Sequence, residues 1–297
     1  MRILTFLVRH GSSKYAHSEE TLDAFYRQTL PSINRKMIVL DNALPPWLPV
    51  ETRGETTILP GDNAAWEFSA WDRGVNWIGK DIWSYDLVHL VTSAFDTLYT
   101  DYIRRISAPM LTWAAQHAVC LGHIDCYNDP VEILSYRSQH WIRSGFLFLP
   151  PAELKAIGSL VSVGGSRPWF SGDPTAPFAT DAPLSANYRD YITGWLTGRN
   201  IGQGVTWHSA FELTRENLAH FEAKTRAILN EHLLSIRLRA MGCAAIDVTW
   251  LAGCLAKTSS IPLDVAWYEQ LQSRPTDAVE CRAAPANLGS VAETAVG

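Results

Sequence analysis

Short apolar runs alternate with amphipathic or polar segments through the N-terminal third of the chain. The runs cover residues 3–8, 36–40, 56–59 and 85–91. The first run is continuously apolar, which predicts a strand buried on both faces, as in a parallel sheet, and the other three are predicted as further strands of the same sheet. Between them, residues 18–30 and 64–78 have the spacing and polar starts of helices. The alternation predicts an α/β fold with right-handed crossovers, a mainly parallel sheet and a site along the carboxyl ends of its strands.

The remainder of the chain has a less regular pattern. Residues 117–127 and 141–149 are predicted as strands, and residues 151–160 as a short helix. Residues 164–183 are rich in Gly, Pro and Asp and predict a long functional loop. A long amphipathic helix is predicted over residues 213–241, ended by Gly242. We expect one domain over residues 1–272, with its less regular part ending in that helix, and a disordered tail over residues 273–297.

Composition and charge narrow the class of protein. Hydrophobic residues make up 47% of the 297 residues and charged residues 19%, which is typical of a folded soluble protein. The formal net charge of -5 argues against non-specific nucleic-acid binding, which needs a basic surface. The 12 tryptophans are many for this length, and Trp stacks on sugar rings and nucleobases as well as filling cores.

The cysteines indicate neither a disulfide framework nor a zinc ribbon, because they form no C-x-x-C pair. They lie mostly in apolar surroundings, at Cys120, Cys126, Cys243, Cys254 and Cys281. Basic residues interrupt the N-terminal apolar run, so no signal peptide is predicted. No stretch approaches 18 continuous apolar residues. We therefore expect a cytoplasmic protein with free thiols and no transmembrane helix.

The first predicted strand ends in Arg-His-Gly at residues 9–11. This tripeptide resembles the opening of the histidine phosphatase and phosphoglycerate mutase family, in which the histidine is phosphorylated and the arginine holds the phosphate. Such a mechanism needs a second histidine, further arginines and an acid. The Gly-His pair at residues 122–123 is followed by Ile-Asp rather than by glycine, and the family's arginine-bearing helix is missing. A phosphohydrolase that uses residues 9–11 remains an alternative.

The most distinctive stretch is GDNAAWEFSAWDRG, residues 61–74. Asp62 or Asn63 can cap a helix that has Glu67 near its first turn, which explains the pattern by structure alone. The same polar residues, with Asp72, also gather beside the strand ends where nucleotides bind in α/β folds. A carboxylate there suits a ribose hydroxyl or a nucleobase edge. Both interpretations stay open.

Four segments follow one another in a recognisable order. In chain order they are KMIVLDNA at residues 36–43, N-x-x-x-[DE]-F-x-x-[WF] from Asn63 to Trp71, YDLVHLVTSAF at residues 85–95 and HWIRSGFLFL at residues 140–149. Together they resemble rhamnan-synthesis F-like glycosyltransferases and related bacterial enzymes of the GT-A type, over residues 2–160. The resemblance implies a GT-A-like, Rossmann-like fold with a nucleotide-binding half (residues 1–110) and an acceptor half (residues 111–272).

The same resemblance implies transfer of a hexose or deoxyhexose from a nucleotide-sugar donor to a saccharide or lipid-linked saccharide acceptor. Bacterial surface polysaccharide synthesis is the implied context, in which peripheral membrane association is compatible with the sequence. The predicted donor-binding residues are Arg9, Asp41, Asn42, Asp62, Asn63, Glu67, Thr92, Ser93 and Arg143.

One departure from the family concerns a metal ion. The fourth predicted strand ends in Thr92-Ser93-Ala94, so the acid of the usual D-x-D motif is missing. In GT-A enzymes that acid holds a divalent ion that offsets the charge of the donor diphosphate. The need for a divalent metal therefore stays open, and Arg9 or Arg143 could supply the positive charge instead.

Inverting transfer needs a base for the acceptor hydroxyl and positive charge for the leaving diphosphate. Asp125 is the first candidate base and His123 the second, because alternate residues of one strand share a face. Asp125 could equally cap the turn that follows. Trp207 and His208, after a glycine-rich stretch, are the candidate acceptor-binding residues, although a structural histidine would explain His208 equally well.

Other polar positions receive a structural interpretation. Glu231 and His232 fall on different faces of the long predicted helix, and we assign them to its surface.

A metal-assisted hydrolase based on His117, His123 and Asp125 lacks the tight ligand spacing that such sites have. A non-catalytic carbohydrate-binding protein would explain the tryptophans, but not the nucleotide-type strand ends.

Overall fold

The computed structural model describes residues 1–11, 14–98, 101–165, 169–199, 207–257 and 261–274. Its strands are β1 (Arg2–Arg9), β2 (Asn34–Asp41), β3 (Glu51–Arg53), β4 (Thr56–Pro60), β5 (Leu87–Thr92), β6 (Val119–Gly122), β7 (Ile124–Ile133), β8 (Tyr136–Ile142), β9 (Phe146–Leu149) and β10 (Ala244–Asp247). Its α-helices are α1 (Ser18–Thr29), α2 (Glu67–Ile78), α3 (Ala108–Ala114), α4 (Pro151–Ile157), α5 (Ala186–Thr197), α6 (Leu218–Ala240), α7 (Val248–Leu255) and α8 (Trp267–Gln272).

The main sheet has eight strands in the order β10-β6-β9-β5-β1-β2-β4-β3. Strands β1, β2, β4, β5, β6 and β10 run parallel, while β9 and the edge strand β3 are antiparallel to their neighbours. The predicted α/β class, with a mainly parallel sheet flanked by helices, is therefore confirmed. The arrangement is compatible with a Rossmann-like fold.

Strand β1 lies at the centre because its side chains are apolar on both faces. Leu4 and Phe6 pack on one side with Phe68 and Trp71 of α2, while Leu7 packs on the other side with residues of α1. Helix α2 approaches closely at Gly74, where a Cβ atom would lie 2.8 Å from the Phe6 ring. Glycine is therefore needed there for the helix to seat on the sheet.

A second layer stands beyond the carboxyl edge of the sheet. Strands β7 and β8 form a separate antiparallel pair, and they pack with α5 and α6 around a third apolar cluster that includes Tyr127, Trp141, Tyr188, Phe221 and Leu229. Helix α6 also contacts the first cluster through Leu234 and Leu238. This helix therefore joins the second layer to the main sheet.

Two segments that we predicted as single strands are each divided between the two sheets. Residues 117–127 break at His123 into β6 and β7, and residues 141–149 break at residues 143–145 into β8 and β9. Side chains satisfy the backbone at the breaks: Asp247 accepts from the Ile124 N–H at 3.0 Å, and Ser235 Oγ accepts from the Ile142 N–H at 2.8 Å. These partners are distant in sequence, which is why a local pattern missed the breaks.

Two predicted boundaries in the C-terminal part also need correction. Helix α6 begins at Leu218 rather than at residue 213. Ser273 and Arg274, which we predicted as the start of a disordered tail, are held in place, because Ser273 donates to the Glu269 carbonyl and the buried Arg274 bonds to Asp247. Residues 275–297 lie outside the described residues. Within the described ranges, no helix is both long and apolar enough to cross a membrane.

The central strand β5 contains a buried histidine whose ionisation is coupled to folding. His89 is fully buried, its Nδ1 lies 2.9 Å from the Tyr26 hydroxyl, and its ring stacks on Phe148 with centroids 4.2 Å apart. Burial, followed by the charge of Arg35, lowers the pKa of His89 well below its ordinary value. His89 therefore stays neutral in the folded state at pH values below about 6.5, where it becomes protonated in the unfolded state.

We expect His89→Phe to reduce the acid sensitivity of the fold. Each histidine with a depressed pKa makes unfolding easier by up to about 1.4 kcal/mol for each pH unit below 6.5. Stability should thus fall less steeply in the variant between pH 6.5 and 4.5, as measured by urea unfolding at several pH values. His17→Gln, at an exposed position, is the matched control. An unchanged slope in His89→Phe would contradict the argument.

Candidate functional site

A cavity of about 210 Å³ opens beyond the carboxyl end of β5, between the main sheet and the second layer. Strand order reverses at β1 and β5, since the chain first adds β2 and β4 on one side of β1 and then β5 on the other. Ligands of open α/β sheets bind at such a reversal. We call this space the edge cavity; its polar and aromatic lining includes Glu67, Thr92, Tyr102, Asp125, Tyr127, Trp141, Arg143, Ser144, Trp195, Trp207, His208, Lys224, Glu231 and His232.

The structure brings together several of the residues predicted from sequence. Those that line the edge cavity are Glu67, Thr92, Asp125, Arg143, Trp207 and His208. They come from α2, β5, β7, the break after β8 and the segment before α6. The predicted glycine-rich stretch before Trp207 lies outside the described residues.

Asp125 and Arg143 form an ion pair at the wall of the edge cavity. Arg143 donates from Nε and Nη2 to Asp125 Oδ2 at 3.1 and 3.0 Å. The other carboxylate oxygen accepts from the Cys126 N–H at 3.1 Å. Both side chains are largely buried, with 29% of Asp125 and 17% of Arg143 exposed. The pair therefore fixes the Arg143 guanidinium at a defined place beside the cavity.

A second polar cluster joins two carboxylates through one serine. Ser144 lies in the break between β8 and β9, and it donates to Glu231 Oε1 from its N–H at 2.6 Å and from Oγ at 2.8 Å. The same Oγ lies 3.3 Å from Glu67 Oε1. Burial raises the pKa of the Glu231 carboxyl; the bonds from Ser144 oppose that rise and the charge of Glu67 adds to it.

Lys224 places a second positive charge on the same face of α6 as Glu231, two helical turns away. Its Nζ lies 5.0 Å from the centre of the Trp66 ring and 5.9 Å from that of Trp207. Trp66 itself has φ 55° and ψ -127°, a conformation that is strained for a large side chain. The lysine ammonium is thus within cation–π distance of two indole rings, one of which, Trp207, lines the edge cavity.

His208 and His232 occupy different environments in the edge cavity. The exposed His208 ring has Nδ1 2.6 Å from Ser209 Oγ, and partial burial, with Lys14 and Lys224 nearby, lowers its pKa. His232 is buried in a bonded cluster with the Tyr127 and Tyr188 hydroxyls. Burial lowers the pKa of His232 to about 3, so it is neutral near pH 7.

Arg9 and Asp41 meet at the ends of β1 and β2, outside the residues that line the edge cavity. Arg9 Nε donates to Asp41 Oδ2 at 2.8 Å, and Arg9 also pairs with Glu19. Asp41 is 3% exposed and its Oδ1 accepts from the N–H groups of Gly11 and Ala43. Both side chains stabilise the turn after each strand, and their role in donor binding remains a prediction.

Asn42, Asp62 and Asn63 also lie apart from the edge cavity. Asn42 Nδ2 donates to Asn63 Oδ1 and to the Trp66 carbonyl, each at 3.2 Å, while Asp62 accepts from the Ala64 N–H. The predicted helix start with a cap at Asp62 or Asn63 is wrong. Helix α2 begins at Glu67, because the preceding turn is closed instead by these bonds.

Ser93 and His123 are buried beside the edge cavity rather than in its lining. His123 lies between β6 and β7 and stacks on Tyr102, with ring centroids 5.0 Å apart. Burial lowers the pKa of His123 well below its ordinary value, and the charges of Arg143 and Arg274 add to this. The predicted shared strand face for His123 and Asp125 is wrong, because the strand is interrupted at His123.

Glu231 and His232 were wrongly assigned to the helix surface, and Ser144 and Lys224 were not recognised. The available signal was the run Asn230-Glu231-His232 within an otherwise apolar stretch of helix. Asn230 is fully buried and accepts from the N–H groups of Ser162 and Val163. Three successive polar residues there indicate internal contacts rather than solvent.

The ligand set for a divalent ion is not evident at this edge. Thr92, at the end of β5, supplies no carboxylate, and in the described ranges no group of three or more His, Cys, Asp or Glu side chains could hold a metal ion. Glu67, Asp125 and Glu231 line the edge cavity but do not gather into one ligand group, so the residues present do not fit a protein-held divalent ion, which prefers several carboxylate oxygens at one point. Comparison of the chain with models of known protein families, with curated proteins and with solved structures gives no match.

Proposed function

We propose that this protein is a glycosyltransferase with a GT-A-like fold, which moves a sugar from a nucleotide-sugar donor to a saccharide or lipid-linked saccharide acceptor. The main support is the edge cavity, which combines two positive charges, three carboxylates and aromatic walls at the point where strand order reverses. A sugar ring can pack against aromatic side chains such as Trp195 and Trp207.

The charges of the edge cavity suit the two demands of glycosyl transfer. As the bond to the donor breaks, negative charge grows on the departing diphosphate, and Arg143 and Lys224 are placed to offset it. The acceptor hydroxyl must lose a proton, and carboxylates at Asp125, Glu67 and Glu231 can accept one. Free buried thiols at Cys120 and Cys243 support the proposed cytoplasmic location.

The alternatives are less well supported by the same residues. In a phosphohydrolase, Arg9 would hold the phosphate, but its guanidinium pairs with two carboxylates, Asp41 and Glu19, and Arg9 lies outside the lining of the edge cavity. His10 is exposed at the bend after β1. A carbohydrate-binding protein would use the aromatic walls, but it has no need for an ion-paired arginine together with a bridged carboxylate pair.

We expect one class of nucleotide sugar, among UDP, GDP, CDP and dTDP donors, to raise the melting temperature by several degrees. A ligand at 100 times its Kd stabilises the folded state by about 2.7 kcal/mol. Thermal-shift titration measures this, with Arg53→Gln on the exposed edge strand as a control that keeps the shift. Absence of stabilisation by every donor would overturn the proposal.

Hydrolysis of a phosphate ester by the wild-type protein, abolished in the His10→Ala variant, would replace the proposed glycosyltransferase with the phosphohydrolase.

A further inference from the structure

The edge cavity contains three carboxylates, and their surroundings differ. Asp125 has one oxygen engaged by the Arg143 guanidinium and the other by a backbone N–H. To accept a proton, it would have to give up the ion pair. Glu231 has Oε1 fixed by two bonds from Ser144, and its cationic neighbour on α6 is Lys224, two turns away. The geometry therefore separates a charge-pairing carboxylate from one that is held for proton transfer.

Ser144 fixes the direction of the Glu231 carboxyl. Its N–H and Oγ both donate to Oε1, so that oxygen is held in place and Oε2 receives no bond from Ser144. Asn230, the residue before Glu231, is itself anchored by the backbone of residues 162–163. Helix α6 thus cannot rotate about its axis without breaking buried bonds.

We propose that Glu231 is the catalytic base of the glycosyl transfer, an inference that rests on the proposed function. The acceptor hydroxyl gives its proton to the Glu231 carboxylate, and its oxygen forms a bond to the anomeric carbon. The bond from that carbon to the donor diphosphate breaks, and its electron pair leaves with the phosphate oxygen. Ser144 is a positioning residue in this step, since it orients the carboxyl without contacting the acceptor.

The charges that face Glu231 set its pH dependence. Glu67 of α2 raises its pKa and Lys224 lowers it, against a rise that is mainly due to burial. The other titratable side chains that line the edge cavity are Tyr102, Asp125, Cys126, Tyr127, Arg143, His208 and His232. A base must be deprotonated to act, so kcat/KM should fall as the pH drops through the raised pKa of Glu231. With the Glu67 charge removed, that fall should move to lower pH.

The decisive variant is Glu231→Gln, measured as initial rates of sugar transfer with the donor identified by thermal shift. Glutamine keeps an oxygen that accepts both bonds from Ser144, so the fold and the donor-induced thermal shift should persist. The loss of the base should lower kcat by about 10²–10⁴-fold, with little change in the donor KM. Glu222→Gln, on the same helix but outside the lining of the edge cavity, is the matched control and should retain the wild-type rate.

A second variant tests the assignment while keeping the Glu231 carboxylate. Glu67→Gln should shift the acid limb of the kcat/KM profile to lower pH, because the charge that raises the pKa of Glu231 is gone. A purely structural role for Glu231 would leave this limb where it is.

The outcomes separate this inference from the proposed function. If the wild-type protein transfers sugar and Glu231→Gln does so at a similar rate, Glu231 is not the base and the transferase proposal stands. If Asp125→Asn loses the acid limb while Glu67→Gln leaves it in place, Asp125 is the base instead. If no donor is bound or turned over by the wild-type protein, both proposals fail together.

Discussion

Replacing Asp247 with alanine is expected to lower the free energy of unfolding by about 3–5 kcal/mol, because the change leaves a buried arginine without its counter-ion. Asp247 at the end of β10 is fully buried, and only 4% of the Arg274 side chain is exposed. Arg274 donates to both carboxylate oxygens and also to the Ile124 carbonyl. The same aspartate accepts from the N–H groups of Ile124 and Trp250, each at 3.0 Å.

Chemical unfolding followed by tryptophan fluorescence measures this loss, which corresponds to a melting temperature lower by roughly 10 °C. The matched control is the double variant Asp247→Asn with Arg274→Met. It removes both charges and keeps an oxygen that can accept from one of the two amides, Ile124 or Trp250, so it should still be more stable than Asp247→Ala. A loss below about 1 kcal/mol in Asp247→Ala would mean that the pair is solvated rather than buried.

This ion pair includes a residue beyond position 272, where the sequence predicted the ordered domain to end. Arg274 stands at the beginning of an Ala-rich, polar stretch whose composition predicts disorder. Its partner is 27 residues earlier, and the pairing needs α7 and α8 to fold back beside β10. Composition describes a segment on average, and it cannot detect one side chain that reaches a buried carboxylate.

The parallel sheet was predictable because its strands are apolar on both faces. Ile3, Leu4, Phe6 and Leu7 in β1 are all fully buried, and such runs have few structural alternatives. The carboxyl ends followed from these strands, so Thr92 and Glu67 were correctly expected at one edge. From the sequence alone, turn residues at that edge could not be distinguished from ligand-binding residues. Asp41, for example, accepts hydrogen bonds from backbone N–H groups with a carboxylate that could equally bind a ligand.

Helix α6 explains why Glu231 was missed. A helix that packs on one side only reveals its buried face by the period of its apolar residues. This helix packs on two sides, with Leu234 and Leu238 in one apolar cluster and Leu229 and Leu233 in another. Apolar residues therefore occur around most of its circumference, and the pattern could not indicate which way Glu231 points.

We expect Arg143→Gln to lower kcat/KM of the proposed transfer by about 10²–10³-fold, since one preorganised positive charge would no longer offset the charge that grows on the diphosphate. Arg143 lies in the break between β8 and β9, its backbone N–H donates to the His123 carbonyl at 3.0 Å, and its side chain lines the edge cavity. Transfer kinetics, together with the affinity for the nucleoside diphosphate product, measure the loss.

A structural explanation must be separated from this one, because Arg143→Gln also leaves Asp125 without its ion pair. The double variant Asp125→Asn with Arg143→Gln removes both charges and should recover stability lost by the single variant. If Arg143 acts on the diphosphate, the double variant regains stability but not transfer, and Arg143→Lys retains more activity than Arg143→Gln because it keeps the charge. Recovery of both stability and transfer in the double variant would show that Arg143 serves only to pair with Asp125.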